Sequence, residues 1–342
     1  HYYLNREYYG QTAMIKIPEG VDVCLDLRDK MYFADNIHPF DIYGTLTVMD
    51  SQGNGQFITT GKNGNSGGFA KIKSTGTLNV LGGTIRRVEK DGVTIYVGGL
   101  VYIEGGTMNI SGGALIGGIA RANSSYSAQG GNIYMKGGTL NISGGTITGG
   151  MALSATGKSA QGGNIYAGPM DGVDAVIRMT GGVVSDGYSD QNGGNFYLYA
   201  ADLTASNGAQ ILGGHAVQHA GNIGIMNTNT NVVLTNATVT GGVAGGKLSD
   251  SGQGSGGGGN IFGYEGTLNG KTAQEVWDLC NAKLAEPEFS ARGLIKSSNV
   301  AMIGTTDDPC SDLKWHKLIA EEGKMDTKVC PSFRPDPAVN IH

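Results

Sequence analysis

Asp186 and Asp190, with His215 and His219 about one repeat further along, come nearest to a catalytic constellation in this chain. Two carboxyl groups about 5–10 Å apart are what glycoside hydrolysis uses, one as acid and one as base or nucleophile. The plainer reading, solvated residues at a corner loop, is preferred for all four. Asp171, Asp174, Asp186 and Asp190 beside Arg178 have the composition of a calcium-dependent lyase site. Their spacing spreads them over different turns of the chain, so calcium is considered but no cofactor and no metal site is expected. The Asp-Asp pair Asp307-Asp308 lies outside the glycine-rich body, which has none. No nucleophile elbow, phosphate-binding loop or dinucleotide fingerprint is present.

Cys24, Cys280, Cys310 and Cys330 include no Cys-x-x-Cys pair, which argues against zinc. Cys280, Cys310 and Cys330 cluster towards the C-terminus and are the candidates for disulfides if the chain is secreted. Composition narrows the class further. Glycine supplies 60 of 342 residues and proline only 8, which excludes collagen. Charged residues are 15%, hydrophobic residues 39%, and the net charge is −5, which excludes disorder and gives no basic surface for nucleic acid. No apolar run is long enough to span a membrane. No signal peptide is visible and the sequence starts at His1 and not at Met, so a mature or trimmed form is expected.

These residues are positioned by a repeat. Gly130 to Gly150 reads GGNIYMKGGTLNISGGTITGG, and relatives of it start at Gly67, Gly98, Gly162, Gly193, Ala220 and Gly258. Counted at Phe69, Leu100, Asn132, Asn164, Asn195, Asn222 and Asn260, the period is near 30 residues, the signature of a solenoid. Each copy holds three short strand-like pieces bounded by glycine pairs, such as 132–135, 139–142 and 146–148. Glycine pairs forbid helical repeats. The expected fold is all-β: a right-handed parallel β-helix of seven or eight coils, with a small α-containing C-terminal cap.

Stacking turns repeat positions into ladders. Val101, Ile133, Ile165, Phe196, Ile223 and Ile261 should point inward. Asn132, Asn164, Asn195, Asn222 and Asn260 should form a structural ladder at a corner, tolerant of left-handed backbone and bonded amide to amide. Tyr102, Tyr134, Tyr166 and Tyr197 should point outward as an aromatic strip that binds sugar rings or a neighbouring subunit. Insertions after the third strand should stack into one irregular face.

The pattern GGNIY…GGTLNISGGTITGG resembles the glycine-rich right-handed β-helix repeats of large secreted and surface proteins of gut-type Gram-positive bacteria. It shares only the fold with the pectin-lyase-like superfamily. The resemblance covers about residues 21–265 and implies an extracellular or cell-surface place. Residues 1–30 are assigned to an N-terminal arm or cap, 31–265 to the body and 266–342 to the C-terminal cap. In that cap, Thr272-Ala-Gln-Glu275 is a capping box opening a helix to Ala285, a second helix spans 312–322, and Trp277 and Trp315 fill the cap core. The expected function is a non-catalytic structural or adhesion protein. It would assemble with itself, through residues 1–20, or bind surface glycans, with no nucleic acid and no membrane span. The reading left open beside it is a β-helix polysaccharide lyase or glycoside hydrolase.

Overall fold

The computed structural model describes residues 2–3, 6–11, 13–170, 172–226, 229–245, 259–263, 281, 285–287, 290–297, 300–308 and 310–333. The chain divides into two units, His1–Glu265 and Gly266–His342.

In the first unit, short runs of β-branched and aliphatic residues between glycine turns stack coil on coil. Three parallel sheets of nine strands each result. The first runs from Tyr2–Tyr3 through Thr107–Ile110 to Asn231–Thr235, the second from Tyr8–Gln11 through Ala114–Ile116 to Thr238–Thr240, and the third from Ile15–Ile17 through Ile133–Lys136 to Ile261–Gly263. Each coil gives one strand to each sheet, so the described residues stack in nine coils. The two coils beyond the seven that the repeat anchors mark lie at the N-terminal end. Within residues 1–30, expected to form an arm or cap, Tyr2–Tyr3, Tyr8–Gln11 and Ile15–Ile17 already pair strand for strand with the neighbouring coil, for example Tyr2 with Leu25. Their sequences lack the glycine pairs, which hid them from the repeat.

Alternation along each strand sends every second residue into one continuous core. Leu46, Leu78, Met108, Leu140, Ile177 and Leu203 stand in register and are fully buried. Val101, Ile133, Ile165, Phe196 and Ile223 form the matching ladder of the third sheet. Its last member, Ile261, is 39% exposed, because no further strand is stacked on it among the described residues.

The asparagines occupy the turn that enters the third sheet. Asn132, Asn164, Asn195 and Asn222 are each wholly buried. Asn132 Nδ2 donates to Asn164 Oδ1 at 2.7 Å, Asn164 to Asn195 at 2.7 Å, Asn195 to Asn222 at 2.7 Å and Asn222 to Asn260 at 2.9 Å. The second Nδ2 hydrogen goes to the carbonyl that ends the following strand of the second sheet, and each Oδ1 also accepts from a glycine amide; Asn164 donates to Ser185 O at 2.7 Å and accepts from Gly150 N at 2.9 Å. None of these asparagines has a positive φ. The position selects asparagine for its amide and not for left-handed backbone. Gly150 is required by the same ladder, since a Cβ there would lie 2.7 Å from Asn164 Oδ1 and 2.8 Å from Asn132 Nδ2.

The inserted segments are not irregular. Ile119–Arg121, Met151–Leu153, Tyr188–Ser189, His215–Ala216 and Val243–Ala244 make a five-stranded parallel sheet of their own, and Asn65–Ser66, Ile95–Val97, Ala128–Gln129 and Ala160–Gln161 make a four-stranded one. Because the insertions are repeated, each finds its copy one coil on: Ala120 pairs with Ala152 and Ala128 with Ala160. These alanines, with Ala122, form a second small core. Arg87, 7% exposed, anchors this flange by donating to the carbonyls of Ile119, Thr60 and Val93.

Two outcomes are expected. Asn164→Ala removes four buried hydrogen bonds and strands their partners, at about 1–3 kcal/mol for each group left unsatisfied. Urea unfolding should show a loss above about 3 kcal/mol, whereas Asn109→Ala, in the half-buried outer amide row, should cost about 1 kcal/mol. The second outcome concerns alkali. Burial, with the neighbouring Tyr8 phenol, pushes Tyr32 up to about 12, and burial also raises Tyr134 and Tyr197. The unfolded chain loses these protons near 10, before the folded one does, so stability is complete below pH 10 and falls from there towards 12. Thermal melts across pH 9–12 should show that decline; a flat profile would contradict it.

Candidate functional site

In the second unit, an alternating run Met302–Asp307 forms a strand, Lys314–Glu322 a helix, and Lys328–Phe333 a second strand parallel to the first. Gly323, left-handed at φ 61°, ends the helix. Parallel strands joined through a helix form a βαβ unit, and in open α/β sheets ligands bind beyond the carboxyl ends of the strands. Asp307 is the last residue of its strand, and Asp308 comes next, exposed.

Three side chains converge there. Thr305 Oγ1 lies 2.6 Å from Asp307 Oδ2 and 2.6 Å from His316 Nε2, while His316 Nε2 stands 3.5 Å from Asp307 Oδ2. Thr305 has one hydroxyl proton. With Asp307 ionised, that proton goes to the carboxylate, and His316 must then donate from Nε2 to the hydroxyl oxygen. The histidine and the aspartate are thus joined by a directed hydrogen-bond chain at a strand end, an arrangement able to hold or pass a proton. At the other ends of the strands lies a cleft of about 520 Å³ lined by Arg292, Lys296, Lys324, Asp326 and Thr327. Arg292 is paired there with Glu322.

This trio was not singled out from the sequence. The signal was the apolar run from Val300 ending in Asp307-Asp308, a strand closed by acids, followed by His316 and Ile319 three apart on one helix. Trp315, expected in a cap core, is 69% exposed, because no described element packs on its side of the helix. Trp277, Cys280 and the helix from Thr272 lie outside the described residues. Cys310 and Cys330 are free thiols, as is Cys24.

In the first unit, the residues expected to do chemistry are tied into the solenoid. Asp186 is exposed at φ 54° and accepts from Thr148 Oγ1 at 3.2 Å. Asp190 accepts from Ser154 N at 2.7 Å, Ser154 Oγ at 3.1 Å and Tyr188 Oη at 2.9 Å, which ties its carboxylate into the flange. His215 pairs in register with Tyr188, and His219 bridges to Asn192. Tyr102, Tyr134, Tyr166 and Tyr197 do stack, with centroids 5.1–5.3 Å apart. They make no open strip: three are half-buried, Tyr197 is 6% exposed, and Gln161 Nε2 donates to its hydroxyl at 3.0 Å. The row ends at Gly224, the partner of Tyr197 on the next coil, which has no ring to add. Among the described residues no group of three or more His, Cys, Asp or Glu side chains could hold a metal ion, and no helix is long and apolar enough to cross a membrane.

Comparison with known proteins locates a relationship in the second unit. Residues 259–342 match the family model of glucuronate isomerase. Over 80 residues the chain is 59% identical to the uronate isomerase of Endomicrobium trichonymphae, 56% to that of Lachnospira eligens and 58% to that of Lachnoclostridium phytofermentans. Each alignment covers 23% of this chain and 17% of the relative, so the chain spans about a sixth of the length of the curated relatives it matches. No solved structure matches it.

These matches correct the functional expectation. The matched family is one of isomerases and not the glycine-rich surface-protein family. The structural, adhesive or fibre-forming role, its lyase or glycosidase alternative, the lean away from an enzyme and the extracellular placement do not stand against these matches. The repeat reports how the chain stacks, and fold does not carry function. The C-terminal residues read as a cap are the ones with enzyme relatives.

The proton placement in the trio is measurable. Thr305→Ser should keep His316 in the Nε2–H form, and Thr305→Val should release it. Imidazole nitrogen NMR near neutral pH reads the tautomer directly; identical spectra for both variants would contradict the hydrogen-bond chain.

Proposed function

We propose that the second unit is a working part of a uronate isomerase, handling a sugar that carries a carboxylate. The observation that carries this reading is the 51–59% identity over about 80 residues to uronate isomerases. The strand-end trio supports it. Sugar isomerisation relocates hydrogen within one molecule, which calls for groups that give and take protons at fixed positions. In this reading Asp307 is the acid–base group, while Thr305 and His316 hold its carboxylate and its charge in place. For the first unit, the finer architecture we propose is a right-handed winding, supported by the strong preference of parallel strand crossovers for that hand.

Grafting tests the reading. Residues 259–342 of this chain, the span of the family match, replace the corresponding segment of the Lachnospira eligens enzyme, and glucuronate turnover is followed. Activity within about tenfold of the parent is expected, with Asp307→Asn lowering kcat by about 10²-fold or more and Cys310→Ser leaving it unchanged. An inactive but folded graft, or an Asp307→Asn graft as active as its parent, would sink the proposal.

A further inference from the structure

The flange of the first unit carries an aromatic pair that its stacking does not require. Over the strands Asn65–Ser66, Ile95–Val97 and Ala128–Gln129 lies a cleft of about 330 Å³, lined by Gly64, Ser66, Tyr96, Tyr126, Ser127 and Gln129. Tyr126 is 58% exposed and stacks on Tyr96, with ring centroids 4.8 Å apart and planes 28° apart. Asn123 fixes both rings. Its Oδ1 accepts from the amides of Ser125 and Tyr126, each at 2.8 Å, and its Nδ2 donates to Tyr96 Oη at 2.8 Å. The turn itself does not need this clamp. On the next coil the register puts Ala155 and Lys158 where Asn123 and Tyr126 stand, and that turn closes as well, Lys158 N donating to Ala155 O at 2.9 Å.

The chemistry of the cleft selects its occupant. Among the described residues none that lines it is charged, so a carboxylate or phosphate would find no counter-charge there. Tyr126 offers a flat apolar face. Tyr96 Oη accepts from Asn123 and keeps its own proton to give, and Ser127 Oγ does the same, accepting from Ser159 N at 3.3 Å. The Gln129 amide is held in place by donating to Gln161 Oε1 at 3.2 Å. A flat face rimmed by hydroxyl and amide groups complements a pyranose, which has an apolar C–H face and an edge of hydroxyls that both give and accept. The volume sits at the lower end for small-ligand sites, roughly 300–1,000 Å³. We propose that this cleft binds a small uncharged saccharide, with one sugar ring lying on Tyr126. A ring already held by Asn123 loses little freedom when the ligand arrives. Hydrolysis would need paired carboxyl groups, which the lining lacks, so the cleft holds the sugar without cleaving it. The site is separate from the stacked tyrosine row of the third sheet and independent of the isomerase reading of the second unit.

The test titrates the full chain with cellobiose, xylobiose and lactose by NMR, with digalacturonate as the charged counterpart and adenosine as a planar one. At least one neutral disaccharide should bind with a dissociation constant of about 1 mM or tighter. Tyr126→Ala should weaken it at least tenfold, while Tyr126→Phe, which keeps the ring face, stays within about twofold. Asn123→Ala should also weaken it at least threefold. All three variants should melt with the parent, because the neighbouring turn closes without either residue. The proposal is overturned if none of the three disaccharides binds, if digalacturonate or adenosine binds more tightly than they do, or if Tyr126→Ala binds as well as the parent.

Discussion

One buried amide per coil sets the terms for the first unit. A side-chain amide has two donors and an acceptor able to take two bonds, and Asn164, Asn195 and Asn222 each use all four. Asn164 holds the asparagines of the coils before and after it, and one backbone group on each of two successive turns, Gly150 N and Ser185 O. In an apolar core such a group is costly if any bond fails, so the turn cannot slip and the strands that leave it enter the third sheet in one register. The apolar ladders supply the larger energy, but they would tolerate small displacements that the amides do not. The half-buried outer row runs the opposite way, Asn141 donating to Asn109 and Asn109 to Asn79, so both directions along the stack are stitched.

Much of this was legible in the sequence, because the repeat repeats its own environment. Val101, Ile133, Ile165 and Phe196 recur at one spacing and are buried for that reason. The features that stayed hidden did so for physical causes. The first coils pair by backbone and by aromatic packing, as where Tyr32 stacks on Phe57, and leave no glycine signature. The flange looked like loop because alanine and serine carry no strand pattern, and only their copy one coil away makes them a sheet. The tyrosines were read as outward but not as overlain, and at Tyr197 the cover includes Gln161 in the flange.

The second unit was misread for a different reason. Its 77 residues contain no repeat, and position at the end of a solenoid invited the role of a lid. The chemistry sits in Thr305, Asp307 and His316, which are brought together by a helical crossover and have no shared spacing in the sequence. A strand ending in acids was the available clue, and it gains meaning only when the second parallel strand is known to lie beside it.

The amide ladder has a consequence for the history of the chain. Asn164, Asn195 and Asn222 each accept from the coil before and donate to the coil after. A coil can therefore be duplicated or lost as a whole, between any two asparagines, without leaving a broken bond at the junction. Such a stack can change length by gene-level copying of about thirty residues at a time while its cross-section stays constant. Its resistance to unfolding then becomes a quantity that heredity can adjust in equal increments, one coil per step.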